Sequence, residues 1–193
     1  LYKFPIQPSG LFKEIRKVLP KNSAITLDAG TLCLQATDAL EYYNPPSLFT
    51  PLDFGLVGFS FACGLGVKIA RPDKTVVSLM GDGGFGMTIS ELSTAVQYKI
   101  NTITIVMNNN SWGAEKAYQK DFFGKRYIGA DIINPEFHKV AQLYGAKGFK
   151  VNRISEINDA LKAALKCNKP AVINVNMDPK ALYSFRKDSF KHR

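Results

Sequence analysis

The chain has 193 residues, 46% of them hydrophobic and 21% charged, and a formal net charge of +9. That length carries one sizeable core and is short for two ordinary domains, so residues 1–193 are read as a single domain, and the composition excludes extensive disorder. No apolar run approaches the roughly 20 residues of a membrane span, and with only His138 and His192 a histidine-rich zinc site is excluded.

Cys33, Cys63 and Cys167 are widely spaced and form no CxxC pair, which points to free thiols in a reducing, cytoplasmic compartment. Part of the positive charge sits in a basic tail over residues 178–193, from Arg186 to Arg193 above all. The rest is dispersed with little aromatic interleaving, so it fits a solvated surface that attracts anionic ligands. A nucleic-acid role has charge alone behind it and no recognition motif, and is not expected. The opening Leu1-Tyr2-Lys3-Phe4-Pro5 lacks the order of a signal peptide, and the missing initiator methionine fits a segment of a longer chain.

In chain order, Leu11 to Leu19 repeats apolar residues at helical spacing and stops at Pro20-Lys21-Asn22. Ala24 to Leu27 reads as a short buried strand ending at Asp28-Ala29-Gly30, and Thr31 to Leu40 as a helix closed by the turn-rich Glu41 to Ser47. Gly55 to Ile69 is studded with small residues. The later ones suit a helix packed closely on a sheet, whereas Gly55 and Gly58 precede the helix, where backbone must approach something closely. Thr75 to Met80 is a strand running into Gly81, Met87 to Tyr98 a helix with Ile89, Leu92 and Val96 on one face, and Thr102 to Met107 the next strand. Gly113 to Gly129 is aromatic, polar and irregular, as in a lid or an interface. Asn134-Pro135-Glu136 is predicted to open a helix to Tyr144, with asparagine as cap and proline at the first position. Lys147 to Val151 is strand-like, Ser155 to Lys166 helical, and Ala171 to Met177 a last strand. Five strands alternating with helices, without a hairpin signal, predict a doubly wound, mostly parallel α/β sheet with helices on both faces.

The chemistry concentrates between residues 81 and 113. Gly81-Asp82-Gly83-Gly84 stands where a strand gives way to a helix, a place where glycine backbone approaches a phosphate closely and a helix start favours negative charge. Asp82 sits comfortably beside a diphosphate only with a cation between them. Magnesium takes oxygen ligands from carboxylates, amides, carbonyls and water. Asn108-Asn109-Asn110 ends the neighbouring strand, so Asn109 can offer an amide oxygen and Ser111 a backbone carbonyl. A plain turn with cap asparagines is the competing account of these residues. A lysine-bearing P-loop and a dinucleotide fingerprint at the first strand are both absent.

Gly-Asp-Gly followed after a spacer by Asn-Asn resembles the signature of the C-terminal cofactor domain of thiamine-diphosphate enzymes related to acetolactate synthase, pyruvate oxidase and benzoylformate decarboxylase. The likeness runs from about Pro8 to Met177. It implies thiamine diphosphate and Mg2+ as cofactors, with Asp82, Asn109 and the Ser111 carbonyl as metal ligands and Gly81, Gly83 and Gly84 around the diphosphate. Gly30, Thr31 and Leu32 then match the turn beside the diphosphate. Gly55 and Val57 match the loop that holds the bent cofactor, where relatives place a bulkier apolar residue such as methionine. A narrower stretch, Trp112-Gly113-Ala114-Glu115-Lys116 with Gln119, Asp121, Phe122, Arg126 and Tyr127, is similar to the sulfoacetaldehyde acetyltransferases. That likeness implies cleavage of sulfoacetaldehyde with transfer of the two-carbon unit to phosphate, and adds Trp112 and Gly113 to the cofactor site.

The resemblance also implies what is missing. The family's catalytic glutamate comes from a pyrimidine-binding domain of a neighbouring subunit, so no catalytic residue is assigned within this chain, and Glu91 and Glu115 are expected at surface or interface positions. Alone, the chain is expected to be inactive. Its expected partners are that domain, on the same polypeptide or another subunit, further copies of itself, and a small anionic or 2-oxo substrate. An acetolactate-synthase-like activity on pyruvate and a non-catalytic assembly or regulatory domain are the alternatives. Trp112, Tyr118, Phe122, Phe123 and Tyr127 either line an entrance or pack a long loop, and Lys116, Lys120, Lys125 and Arg126 either attract an anion or form a solvated rim.

Overall fold

The computed structural model describes residues 5–51 and 54–183. Most of the predicted basic tail, including His192, lies outside them. Six parallel strands form one sheet: β1 (Ala24–Leu27), β2 (Leu48–Phe49), β3 (Val76–Gly81), β4 (Ile103–Asn108), β5 (Lys147–Val151) and β6 (Ala171–Asn176), in the order β2-β1-β3-β4-β6-β5. The predicted parallel α/β architecture is therefore present, with β2 as an additional two-residue edge strand too short to carry a sequence pattern.

Alternation along the strands divides the core. Val77 and Leu79 of β3, Ile103 and Ile105 of β4, and Ile173 and Val175 of β6 face one layer, formed by α1 (Pro8–Val18), α2 (Thr31–Ala39) and α8 (Ile157–Lys166). Met80, Val106 and Val172 face the other, formed by α3 (Phe59–Ala70), α5 (Leu92–Gln97) and α7 (Phe137–Leu143). The central strands are buried on both sides, which is why they read as continuous apolar runs. In the second layer Phe85 lies between Phe61 and Phe137, with ring centroids 5.7 and 5.2 Å away.

Several predicted boundaries are corrected. The helix expected over Met87 to Tyr98 is three pieces: α4 (Asp82–Thr88), a 3-10 turn (Ile89–Glu91) and α5. The break falls at Thr88, whose hydroxyl donates back to the Gly84 carbonyl (3.3 Å), a bond that bends helices. The stretch expected to be irregular from Gly113 contains α6 (Gly113–Phe122). Only Ala117 in it is fully buried, so its helical periodicity is weak although Ala114, Glu115, Lys116 and Ala117 are good helix formers. Beyond it, the Gln119 side chain clamps the loop by exchanging two 2.9 Å hydrogen bonds with the backbone of Ile128. α7 begins at Phe137, so Asn134 is not a helix cap.

The small residues of α3 separate by cause. A Cβ on Gly64 would lie 2.3 Å from the Ser78 hydroxyl, whereas Gly66 faces open space. At Gly64 the helix lies against a buried knot in which Thr26 Oγ1 donates to Ser78 Oγ (2.9 Å) and Ser60 Oγ donates to the Thr26 carbonyl (2.9 Å). The chain leaves β1 outward to β2 through α2 on one face, and returns to β3 through α3 on the other. The strand order thus reverses between β1 and β3, and the carboxyl ends of the strands open there into a crevice.

Candidate functional site

A cleft of ≈ 710 Å³ opens at that switch point. Its wall contains every residue that the sequence analysis assigns to the cofactor or metal: Gly30, Thr31 and Leu32 after β1, Gly55 and Val57 before α3, Gly81 to Gly84 at the end of β3, and Asn109, Ser111, Trp112 and Gly113 after β4. Gly30 and Gly113, 83 positions apart in sequence, meet because parallel strands place all their carboxyl ends on one edge.

Asp28, which the sequence analysis left unassigned, organises one side. Its carboxylate accepts hydrogen bonds from the backbone N–H of Gly58 (3.1 Å) and of Ser60 (3.3 Å), and so ties the end of β1 to the start of α3. Burial raises its carboxyl above the usual range, and the backbone N–H bonds draw it partly back. Gly58 takes φ +88°, left-handed geometry suited to glycine, and a Cβ there would also press on Thr88. Gly55 takes φ +67° but faces open space, so backbone geometry and not close approach is its requirement. Gly84 meets the other face of the Asp28 carboxylate: a Cβ would lie 2.0 Å from Oδ2.

Across the cleft the Trp112 ring lies on the glycine turn, close enough that a Cβ on Gly83 would be 2.5 Å from it. The first residues of α2 and α6 are neighbours, since a Cβ on Gly113 would sit 3.3 Å from Thr31 Oγ1 and 3.4 Å from Asn109 Nδ2. Two helix amino ends therefore face the same space, an arrangement that favours an anion.

Asp82 lies at the head of α4, 1% exposed. Its Oδ2 accepts from the Ser111 backbone N–H (3.2 Å) and from Asn134 Nδ2 (2.6 Å), and it forms no ion pair among the described residues. Burial pushes its carboxyl above the ordinary value, countered by the Asn134 amide and by the backbone N–H groups of Asn109 and Ser111. The Ser111 hydroxyl is buried without a hydrogen-bond partner among the described residues. Ser111 pairs as an isolated antiparallel bridge with Asp131, while the neighbouring N–H groups of Trp112 and Ile132 make the cross-chain bonds (2.8 and 3.0 Å). In such a pair the N–H and C=O of the bridging residue turn to the other side together. The N–H ends on Asp82, so the Ser111 carbonyl is directed to that side as well.

These groups fit a hard cation. One carboxylate, the Asn109 amide and a backbone carbonyl make an oxygen-rich donor set with room for phosphate or water oxygens. No group of three His, Cys, Asp or Glu that could hold a metal occurs among the described residues. All three cysteines are free.

The other candidates are dispersed. Glu91 accepts a hydrogen bond from Thr94 (3.0 Å) outside the cleft, and Glu115 stands exposed at its rim. Lys116 is paired with the Asp131 carboxylate and lies over the Tyr127 ring, and Arg126 donates to the Phe123 carbonyl. Lys116 is thereby taken up by a carboxylate, whereas Arg126 forms no ion pair among the described residues and stands exposed outside the cleft. Tyr118 and Phe123 line the cleft, while Tyr127 lies outside it. Sequence reasoning missed Asp28, which is legible as a polar residue ending a buried strand. It also missed the role of Asn134, which no local pattern reveals.

Residues 28–175 match the family described as thiamine pyrophosphate enzyme, C-terminal TPP binding domain. The chain belongs to this family. Among curated relatives of this thiamine pyrophosphate domain, a sulfoacetaldehyde acetyltransferase of Castellaniella defragrans is 31% identical over 188 residues, which is 95% of this chain and 31% of the relative. A probable acetolactate synthase large subunit of Methanococcus aeolicus is 33% identical over 186 residues, 93% of this chain and 31% of the relative. Among solved structures, the thiamine diphosphate-dependent 4-hydroxybenzoylformate decarboxylase of Rhodococcus jostii RHA1 superposes with a TM-score of 0.84 at 27% identity, covering 91% of this chain and 33% of that one. This thiamine pyrophosphate domain thus spans about a third of the length of the relatives it matches.

Proposed function

We propose that this chain anchors the diphosphate of thiamine diphosphate through Mg2+ bound to Asp82, the Asn109 amide oxygen and the Ser111 carbonyl, as one part of a sulfoacetaldehyde acetyltransferase-like enzyme. The observation that carries the reading is Asp82, a buried carboxylate without a cationic partner among the described residues, on the wall of the switch-point cleft. A buried charge is costly unless paired, and a bound divalent cation supplies the pairing.

When bound, the cofactor supplies a thiazolium that acts as an electron sink for a carbanion-like centre next to a carbonyl. The chain's own residues do the binding and orienting. Thr31 and Gly113 bring two helix starts toward the diphosphate, and Trp112 covers the glycine turn. The Asp28-held turn presents Val57 to the cleft wall, where it shapes the floor under the cofactor. In this reading the group that activates the aminopyrimidine comes from another domain; Glu91 lies outside the cleft and Glu115 at its exposed rim.

A pyrimidine-binding domain, on the same polypeptide or another subunit, completes the site in this reading, and copies of the assembly form a homo-oligomer. An apolar groove of ≈ 660 Å³ along α3, lined by Leu56, Phe59, Ala62, Gly66 and Ala70, adjoins the cleft at Val57 and supports a docked neighbour there. Met87 and Ile69 are exposed large apolar side chains of α4 and α3. No helix among the described residues is long and apolar enough to cross a membrane.

The Trp112-Gly113-Ala114-Glu115-Lys116 stretch and the similarity to a sulfoacetaldehyde acetyltransferase favour that substrate. Comparable identity to a probable acetolactate synthase supports a second reading, with pyruvate as donor. Calorimetric titration of thiamine diphosphate into the complete assembly, with and without Mg2+, tests the cofactor site. Absence of Mg2+-dependent binding refutes it. Sulfite release from sulfoacetaldehyde and phosphate, against CO2 release from pyruvate, then separates the two substrate readings.

A further inference from the structure

The Asp82 carboxylate is gripped by a residue 52 positions away. Pro135 disfavours helical backbone at Asn134, which leaves that residue ahead of α7 with its side chain directed at the site. Asn134 Nδ2 lies 2.6 Å from Asp82 Oδ2, 3.2 Å from Asn108 Oδ1 and 3.3 Å from Asn110 Oδ1. An amide nitrogen carries two hydrogens and no acceptor, so three oxygens gather round one donor. Both the Asn134 amide and the Ser111 N–H bind Oδ2. Oδ1 is left without a side-chain donor among the described residues.

A ladder of asparagines extends from this point across the carboxyl end of the sheet. Asn108 Oδ1 also accepts from the Asn110 backbone N–H (3.1 Å), which turns the Asn108 amide nitrogen outward to donate to Asn174 Oδ1 (3.2 Å). Asn174 Nδ2 donates to Asn176 Oδ1 (3.1 Å), and Asn176 Nδ2 to Asn152 Oδ1 (2.6 Å). Asn108, Asn174 and Asn176 each present the amide oxygen toward the Asp82 end of the ladder and the nitrogen away from it, whereas Asn134 turns its nitrogen to Asp82. Asn108 and Asn174 are buried in β4 and β6, where apolar residues would cost less. A satisfied buried polar chain of this kind fixes one arrangement of its members.

We propose that Asn134 is a positioning residue of the Asp82 site: it holds Oδ2 so that Oδ1 is presented to the bound cation, and the asparagine ladder fixes the sense of the amides around it. The proposal rests on the reading of Asp82 as a ligand of the cofactor's divalent cation. Partners that hydrogen-bond a metal ligand orient it, and their loss weakens metal binding about 10–100-fold.

The test uses the complete assembly containing this chain, with thiamine diphosphate saturating and Mn2+ in place of Mg2+. Free and bound Mn2+ are read by electron paramagnetic resonance, and the fold by circular dichroism and metal-free thermal unfolding. Asn134→Ala removes the donor and Asn134→Leu removes it with side-chain bulk retained. Both are expected to bind Mn2+ at least tenfold more weakly, with an altered bound-Mn2+ line shape and an unchanged far-ultraviolet spectrum. Wild-type affinity in both variants overturns the proposal. So does tighter binding, which would make Asn134 a competitor of the cation, and so does unfolding of both variants without metal, which would make it a determinant of the fold. If the wild type itself binds no Mn2+ with the cofactor, the underlying reading of Asp82 fails instead.

Discussion

Gly84 offers a test of how the cleft is built. A Cβ at this position would stand 2.0 Å from Asp28 Oδ2 and 3.4 Å from the Gly58 backbone nitrogen. The carboxylate is short, buried and tied to Gly58 and Ser60, so it cannot swing aside without breaking the bonds that hold the turn before α3. A hydrogen bond to a charged group contributes about 1.5–3 kcal/mol, and losing both costs roughly 3–6 kcal/mol. Alanine in place of glycine in α4 returns up to about 1 kcal/mol of helix propensity. Gly84→Ala is therefore expected to destabilise by about 2–5 kcal/mol, which for a domain of this size is a drop of roughly 4–20 °C in Tm. Urea unfolding of wild type, Gly84→Ala, Asp28→Ala and the double variant measures it as a cycle. In the Asp28→Ala background the added methyl meets no carboxylate, and Gly84→Ala should cost less than about 1 kcal/mol. Additive single effects, within about 0.5 kcal/mol, would refute the argument, because the damage would then not pass through Asp28.

Asp82→Ala and Asn109→Ala are each expected to weaken Mg2+-dependent binding of thiamine diphosphate to the complete assembly while the domain stays folded, as read by calorimetry and circular dichroism. Unchanged binding in both would remove them from the metal site. Phe85→Ala takes a fully buried ring from between Phe61 and Phe137 and should cost about 3–5 kcal/mol in urea unfolding; a loss under about 1 kcal/mol would mean that the layer collapses into the void. Glu136 is hydrogen-bonded by Lys139 and Lys150, which hold its carboxyl down at about 2. Its folded value lies below the unfolded one of 4.5, so its stabilising effect is present above that pH and is lost as pH falls toward 2. In Lys150→Ala the midpoint, followed by carboxyl NMR, should move up toward 4.5, and no movement would dissociate the shift from this pair.

What could be read in the sequence followed from how each residue signals its place. β3 and β4 are buried on both sides and therefore appear as unbroken apolar runs, and the glycines and asparagines that end them mark the edge where parallel strands open a crevice. That edge was legible because its signals are local. α6 was not legible by periodicity, since it lies along the cleft and fully buries only Ala117, although its helix-forming residues pointed the right way. Asn134 was misread for the opposite reason. Asn-Pro-Glu before an apolar periodic run is a strong local pattern for a helix start, but the amide is drawn away by Asp82, 52 residues earlier.

The same contrast bears on how the site works. Asp82, Asn109 and Ser111 lie on two adjacent strand ends, and the β3–β4 register, with Gly81 opposite Met107, sets their spacing before any ligand arrives. Register fixes positions but not the rotation of a carboxylate or the sense of an amide. The Asp82 carboxylate is held by the Ser111 N–H and by Asn134 from the loop before α7, while the amide of the adjacent Asn108 is oriented by donating to Asn174 of β6, which in turn donates to Asn176. If Asp82, Asn109 and the Ser111 carbonyl hold the cation as proposed, a substitution at Asn109 removes a coordinating oxygen, whereas one at Asn134 leaves every coordinating oxygen in place and changes only its aim. The two should therefore separate by affinity: replacing a coordinating oxygen with water at Asn109 should weaken Mn2+ binding more than misdirecting a carboxylate at Asn134, where the loss is expected at about 10–100-fold, and equal losses would refute the distinction.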